Sequence, residues 1–195
     1  MQQQGFILVV EDDPQQSESI KRAIESRYPQ YAVKVLETES KFRLFVGDLA
    51  KVPSIPTMVI CGVMLPWIFP ELVTPDIPDE VKVGTFRKAG LRCWKWFRQY
   101  PCFQRVPWIY FTILDDVTIE FSKHADLLTG YVQKAGSIKP LFEEMEELLT
   151  ASGPWEATET EVTAELTASP EMARRLREGM AESVGEDARV LGMPS

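Results

Sequence analysis

Short apolar runs of strand length alternate with segments of helical period along the first 150 residues, and that alternation leaves few folds open. Phe6 to Val10 is a continuous apolar run stopped by Glu11-Asp12-Asp13-Pro14, which predicts a buried strand passing into a helix that proline opens. Ile20, Ala23, Ile24 and Tyr28 then recur at helical spacing within Gln15 to Tyr28. Tyr31 to Leu36 reads as a second strand. Phe42, Phe45, Val46 and Leu49 mark a second helix, and Thr57 to Cys61 a third strand. A third helix is expected over Gly84 to Tyr100, a fourth strand over Val106 to Leu114 and a short helix over Thr118 to Leu128. Gly130 to Lys134 is a fifth strand, and Ser137 to Leu149 a closing amphipathic helix. Five strands alternating with five helices predict an α/β fold, a (βα)5 doubly wound five-stranded parallel sheet.

Two segments depart from the alternation. Pro66 to Glu80 contains Pro66, Pro70, Pro75 and Pro78, which excludes helix because proline lacks the amide proton and clashes with the preceding turn. Trp67, Ile68, Phe69, Leu72 and Val73 make it too apolar for a free linker, so an ordered inserted loop packed on the body is expected. Ala151 to Thr167 is rich in Thr, Glu and Ala and reads as a solvated linker. Ser169-Pro170-Glu171 then starts a helix, with Met172, Leu176 and Met180 along one side. Residues 1–150 are therefore expected to form one domain with the inserted loop at 66–80, and residues 151–195 a linker and short helical tail.

The net charge of -8 disfavours non-specific binding to nucleic acid or to an anionic membrane. Cys61, Cys93, Cys102 and His124 make no zinc spacing, and an odd number of thiols argues against a disulfide framework, so a reducing cytoplasm is expected. The amino terminus has no basic region ahead of its short apolar run, and no apolar run reaches the roughly 18–20 residues that span a bilayer.

Four motifs, ILVVEDDP, VICGVMLP, VPWIYFT and GYVQK, resemble in order and spacing the receiver domain of two-component response regulators over about residues 5–150. The resemblance implies a flavodoxin-like receiver fold. It also implies a phosphorylation pocket in which acids at Glu11 and Asp12 and the backbone carbonyl of Met64 hold a divalent cation. The hydroxyl of Thr112 and the amine of Lys134 would hold phosphoryl oxygens, and Tyr131 takes the position of the switch aromatic. The phosphoacceptor aspartate falls on Gly62, which cannot form an acyl phosphate. Ile113 stands where receivers usually have a small residue, and Ala135 where a proline usually follows the lysine. Without the acid at 62, Glu11 and Asp12 are expected to face Lys134 as a charge-paired cluster, with no cofactor required and magnesium binding weak or absent.

The implied function is that of a stand-alone, degenerate receiver. It would signal by protein–protein contact without aspartate phosphorylation, have no enzymatic activity, and use the face made by the helix at 118–128, the fifth strand and the closing helix. Its expected partners are signalling proteins such as a histidine kinase or a downstream effector, with a homodimer left open; nucleic acid and membrane are not expected partners. An alternative is an ordinary phosphoacceptor receiver inactivated at Gly62. A third reading, a magnesium-dependent phosphatase-like hydrolase, needs a nucleophilic aspartate pattern that Glu11-Asp12-Asp13 does not supply.

The remaining signals are local. In FRKAGLRCWKWFRQYPCFQR, Phe86, Gly90, Cys93 and Phe97 share a helical face expected to pack on the sheet. Arg87, Lys88, Arg92, Lys95 and Arg98 project elsewhere and are expected to form a solvated basic face. Trp67 and Phe69 are candidates to pack on this helix, with the inserted loop as a lid over the pocket. His124 is expected at the surface, and Asp115 and Asp116 near the pocket mouth as remote substitutes for the missing acceptor.

Overall fold

A computed structural model describes residues 5–49, 55–68, 77–84, 86–114 and 126–153. Five parallel strands form one sheet: β1 (Gly5–Val10), β2 (Tyr31–Leu36), β3 (Met58–Cys61), β4 (Trp108–Thr112) and β5 (Thr129–Gln133). They are ordered β2-β1-β3-β4-β5. All four pairings are parallel, with Val10 opposite both Leu36 and Cys61. Reversal of the winding at β1 and β3 leaves a crevice at the carboxyl ends of those strands, where open α/β sheets bind their ligands.

The helices are α1 (Pro14–Arg27), α2 (Glu39–Leu49), α3 (Asp79–Gly84), α4 (Ala89–Arg98) and α5 (Lys139–Ser152). Pro14 sits in the first turn of α1, and the Asp13 carboxylate caps that helix by accepting from the amides of Gln15 and Gln16 at 2.8 and 3.0 Å. The alternation of side chains along each strand divides the apolar residues between two cores. Ile7, Val9, Met58, Ile60 and Ile109 meet α1 and α5 in a mainly aliphatic layer. Leu8, Val10, Val59, Cys61, Trp108 and Tyr110 meet α2 and α4 in an aromatic one. In the aromatic layer Phe97 stacks on Phe103 at 4.6 Å and Phe42 meets Trp108 edge-on at 5.9 Å.

The region after β3 differs from expectation. In place of one helix over 84–100, α3 already begins at Asp79, inside the segment expected to be free of helix, because Pro78 is that segment's last proline, and ends at Gly84; a 3-10 turn covers Phe86–Lys88, and α4 begins at Ala89. The interruption lets the Phe86 carbonyl accept from the Leu65 amide at 3.3 Å, while the Gly90 amide donates to the Val63 carbonyl at 2.9 Å. A Cβ on Gly90 would lie 2.4 Å from the Gly62 oxygen, so α4 approaches the β3 loop backbone to backbone, which glycine alone permits. Of the expected packing face, Gly90, Cys93 and Phe97 are buried, but Phe86 falls in the 3-10 turn and is 56% exposed.

The inserted loop is tied to the body where it is described. The amides of Glu39 and Ser40, at the start of α2, donate to the carbonyls of Pro66 and Trp67 at 3.0 and 3.1 Å. Residues 69–76, including Phe69, lie outside the described residues. So do residues 115–125, with Asp115, Asp116 and His124, and the tail at 154–195. Of the expected short helix, Asp126 to Leu128 are described and are not helical; their turn is held by the Asp126 carboxylate, which accepts from the Leu128 amide at 3.0 Å and the Thr129 hydroxyl at 2.6 Å. No helix among the described residues is long and apolar enough to cross a membrane.

Candidate functional site

The carboxyl ends of β1, β3, β4 and β5 surround a cleft of about 470 Å³. Glu11, Asp12, Gly62, Met64, Thr112 and Lys134 all line it, so residues far apart in sequence share one surface. Each arrives because its strand stops at the same edge. Glu11 follows β1, Gly62 follows β3, Thr112 closes β4 and Lys134 follows β5. The Lys134 amide continues the β4–β5 ladder by donating to the Thr112 carbonyl at 2.7 Å.

Glu11 is 96% buried and its Oε2 accepts from Lys134 Nζ at 2.6 Å; its Oε1 accepts from the Asp13 amide at 3.2 Å. Burial raises the Glu11 carboxyl above the ordinary carboxylate range, while the Lys134 ammonium pulls it back in part. The ammonium also sits 5.4 Å from the centre of the Phe111 ring. Asp13 is occupied in capping α1, and the helix amides hold its carboxyl below the ordinary range. The expected pairing with Lys134 is thus made by Glu11. No ion pair joins Asp12 to it among the described residues.

Gly62 donates its amide to the Val10 carbonyl at 2.8 Å. A Cβ there would find Leu65 Cδ2 and the Val10 oxygen at 3.5 Å and Glu11 Oε2 at 3.6 Å, which are ordinary contacts. The position has room for a side chain and carries none. An aspartate would bring a second carboxylate beside Glu11. As the site stands, no three His, Cys, Asp or Glu side chains among the described residues converge to hold a metal ion. Thr112 is 97% buried, and its Oγ1 accepts from the Leu114 amide at 3.3 Å. Ile113, next to it, is 57% exposed at the cleft mouth together with Phe86. Tyr131 lies outside the cleft lining; it packs on the aromatic core, and its hydroxyl donates to the Leu114 carbonyl. The peptide bonds among the described residues are all trans, Lys134-Ala135 included.

A second charged cluster, which sequence reasoning missed, lies behind the loop. Glu39 is fully buried and accepts from Arg43 at 2.7 Å and from Arg92 at 2.6 and 3.0 Å. Arg43 reaches on to Glu80 at 2.9 Å and lies against the rings of Trp67 and Trp96, 5.2 and 5.0 Å from their centres. Trp67 thus reaches α4 through Arg43. Of the expected solvated basic face, Arg87, Lys88 and Lys95 are exposed, but Arg92 and Arg98 are not, with side chains only 11% and 10% exposed. Arg98 donates to the Phe103 and Val106 carbonyls at 2.7 and 2.8 Å and pairs with Asp126 at 3.3 Å. A helix face rich in arginine looked solvated because the carboxylate it meets is 53 residues away.

No family model and no curated protein matches the chain. Solved structures do. A signal receiver domain of a signal transduction histidine kinase from Syntrophus aciditrophicus aligns over 79% of this chain and 96% of its own, at 22% identity and a TM-score of 0.55. The phosphorylated cyanobacterial phytochrome response regulator RcpA aligns over 78% and 99%, at 16% identity and 0.53. The non-phosphorylated HemR receiver domain from Leptospira biflexa aligns over 78% and 99%, at 17% identity and 0.51. With the strand order, the two-sided helix cover and the cleft at the strand ends, these likenesses establish that the chain has the flavodoxin-like fold of response-regulator receiver domains.

Proposed function

We propose that the protein is an atypical receiver that works in signal transduction by binding other proteins, without aspartate phosphorylation, catalysis or a required metal. The observation that carries this reading is the pairing of Lys134 Nζ with Glu11 Oε2 at 2.6 Å, beside a Gly62 that offers no nucleophile. Glycine has no oxygen to accept a phosphoryl group. The lysine that would hold a phosphoryl oxygen is engaged by a buried carboxylate instead. Magnesium needs several hard oxygen ligands. Here Glu11 is committed to Lys134 and Asp13 to the α1 cap, which leaves Asp12 as the one carboxylate of the three with no side-chain or capping partner among the described residues. The Glu11–Lys134 pair is therefore neutralised internally while Asp12 keeps its charge, and the pocket's conformation would be biased by differential binding of a partner. A histidine kinase or a downstream effector is the class of partner that fits a receiver fold, and Tyr131 with β5 and α5 supplies part of the proposed contact face.

A second reading has one observation in its favour. A Cβ at Gly62 would meet its neighbours only at ordinary contact distances, which leaves open a reading in which the loss of phosphotransfer is local to one residue. Intact mass after incubation with acetyl phosphate and magnesium separates the two, using this chain and Gly62→Asp. The expected result is no added phosphoryl mass on the native chain. Phosphorylation of Gly62→Asp alone favours the second reading; failure of both favours a site reshaped around the Glu11–Lys134 pair. A phosphoryl group on the native chain overturns both.

A further inference from the structure

The cleft combines two features that do not match each other within the described residues. Its floor keeps a carboxylate, Asp12, with no side-chain hydrogen bond or ion pair, beside the capping carboxylate of Asp13. Met64, Pro66 and Phe111 also line the cleft, and Phe86 and Ile113, which line it too, stand 56% and 57% exposed. Two large apolar side chains exposed on the lining of one cleft suit it to a ligand with an apolar face. The chemistry that fits both is a segment presenting aliphatic side chains flanked by cations.

The chain carries such a segment outside the described residues. Met172–Met180 has three arginines, Arg174, Arg175 and Arg177, against one acid, Glu178, within a chain whose net charge is -8. Read as the helix that Ser169-Pro170-Glu171 opens, Met172, Leu176 and Met180 form a stripe, and Arg175 and Arg177 fall on either side of it. The connection is long enough. Ser152 ends α5, which returns antiparallel to the strands and so finishes at the sheet edge opposite the cleft, about 21 Å away along the helix. Residues 154–171 extended reach about 60 Å. Tethering also raises the local concentration of the segment to about the millimolar range, so a weak contact suffices. The acidic outer side of α5 is a poorer match. There Glu143 and Glu146 already pair with Lys139 and Arg27, and although Glu144 and Glu147 make no ion pair among the described residues, no large apolar side chain of that helix is exposed to receive the stripe.

We propose that the segment Met172–Met180 docks in the cleft of its own chain, with Met172, Leu176 and Met180 against Phe86 and Ile113 and its arginines on Asp12. Docking there presupposes a cleft that is not held open for a phosphoryl donor, as in the function proposed above. The two ideas fail separately, because phosphoryl mass tests the one and amide exchange the other.

The test is hydrogen–deuterium exchange with peptide-level mass spectrometry on the full chain, at several protein concentrations. The variants are R174E/R175E/R177E, Asp12→Arg, and the two combined. In the unmodified chain, peptides spanning 172–180 and 63–66 should be protected independently of concentration. The triple arginine variant should speed exchange in both by about tenfold or more, and the combined charge swap should recover much of the protection. Peptides from β3 and β4 report whether Asp12→Arg remains folded; if it does not, the arginine variant carries the test alone, since it leaves the sheet untouched. Exchange of 172–180 at the rate of an unstructured peptide in the unmodified chain overturns the proposal. Protection that survives arginine reversal does the same. Protection that grows with concentration overturns it in favour of a second copy.

Discussion

Among the described residues two glutamates are taken out of water, and they are held in different ways. Glu11 stands at the end of β1 with one cation, Lys134, and its pair borders an open cleft. Glu39 stands at the start of α2 with two guanidinium groups, and the cluster is closed over by Trp67 and Trp96. The first carboxylate has one strong partner and a raised carboxyl. The second has its lone pairs filled by forks of donors, the geometry in which arginine binds carboxylate best. The difference separates a pocket that can exchange partners from a joint that fastens α2, α4 and the inserted loop together.

Removing the carboxylate of the joint gives the largest expected effect. Glu39→Ala takes from Arg43 and Arg92 the buried anion that both share, and should cost about 3–5 kcal/mol in urea unfolding. A loss below about 1 kcal/mol would mean the cluster is no better than a surface ion pair, and the contrast with Glu11 would collapse.

Lys134→Met tests the cleft pair, with an expected loss of about 1–3 kcal/mol at neutral pH. This loss should shrink on acidification. Glu11 has a folded-state value above its unfolded one, so its protonation favours the folded state increasingly as pH falls through the folded value. The effect is complete below the ordinary carboxylate value. Without the ammonium the folded value rises further, and the Glu11 carboxyl carbon should titrate at higher pH in the variant by NMR. A variant whose deficit is the same at every pH would show that the charge on Glu11 is not what Lys134 stabilises.

The smallest effects compare the two glycines that meet where α4 crosses the β3 loop. Gly90→Ala drives a methyl into the Gly62 oxygen at 2.4 Å and Val63 Cα at 2.9 Å, and overpacking of about 1–3 kcal/mol is offset by about 1 kcal/mol of helix propensity. Gly62→Ala meets nothing closer than 3.5 Å and should change stability by no more than about 0.5 kcal/mol. Thermal unfolding of the pair checks both. A reversed order would place the tight contact on the wrong side of the crossing.

Much of the fold was legible because its signals are local. Phe6 to Val10 against Glu11-Asp12-Asp13-Pro14 shows a strand ending and a helix beginning within nine residues, and the same kind of boundary recurs along the chain. The pocket residues were legible through the resemblance that the four motifs carry, and the parallel strands bring their carboxyl ends to one edge. The 3-10 turn at Phe86–Lys88 was not legible, since Phe86 fits the apolar period of the following helix as well as it fits a turn. Gly90 signalled only a weak helix former, and its contact with Gly62 depends on a crossing that no local pattern encodes.

The sequence by itself determined the order of the elements, the division of apolar side chains between two faces, and the absence of an acid at position 62. These follow from period and residue identity, which act over a few residues. Only the tertiary structure decided that Glu11 rather than Asp12 takes Lys134, that Arg92 and Arg98 are buried, and that Trp67 is held through Arg43. Charges choose partners by distance and by shared desolvation, and both quantities exist only once α2, α4 and the strand ends have been brought together.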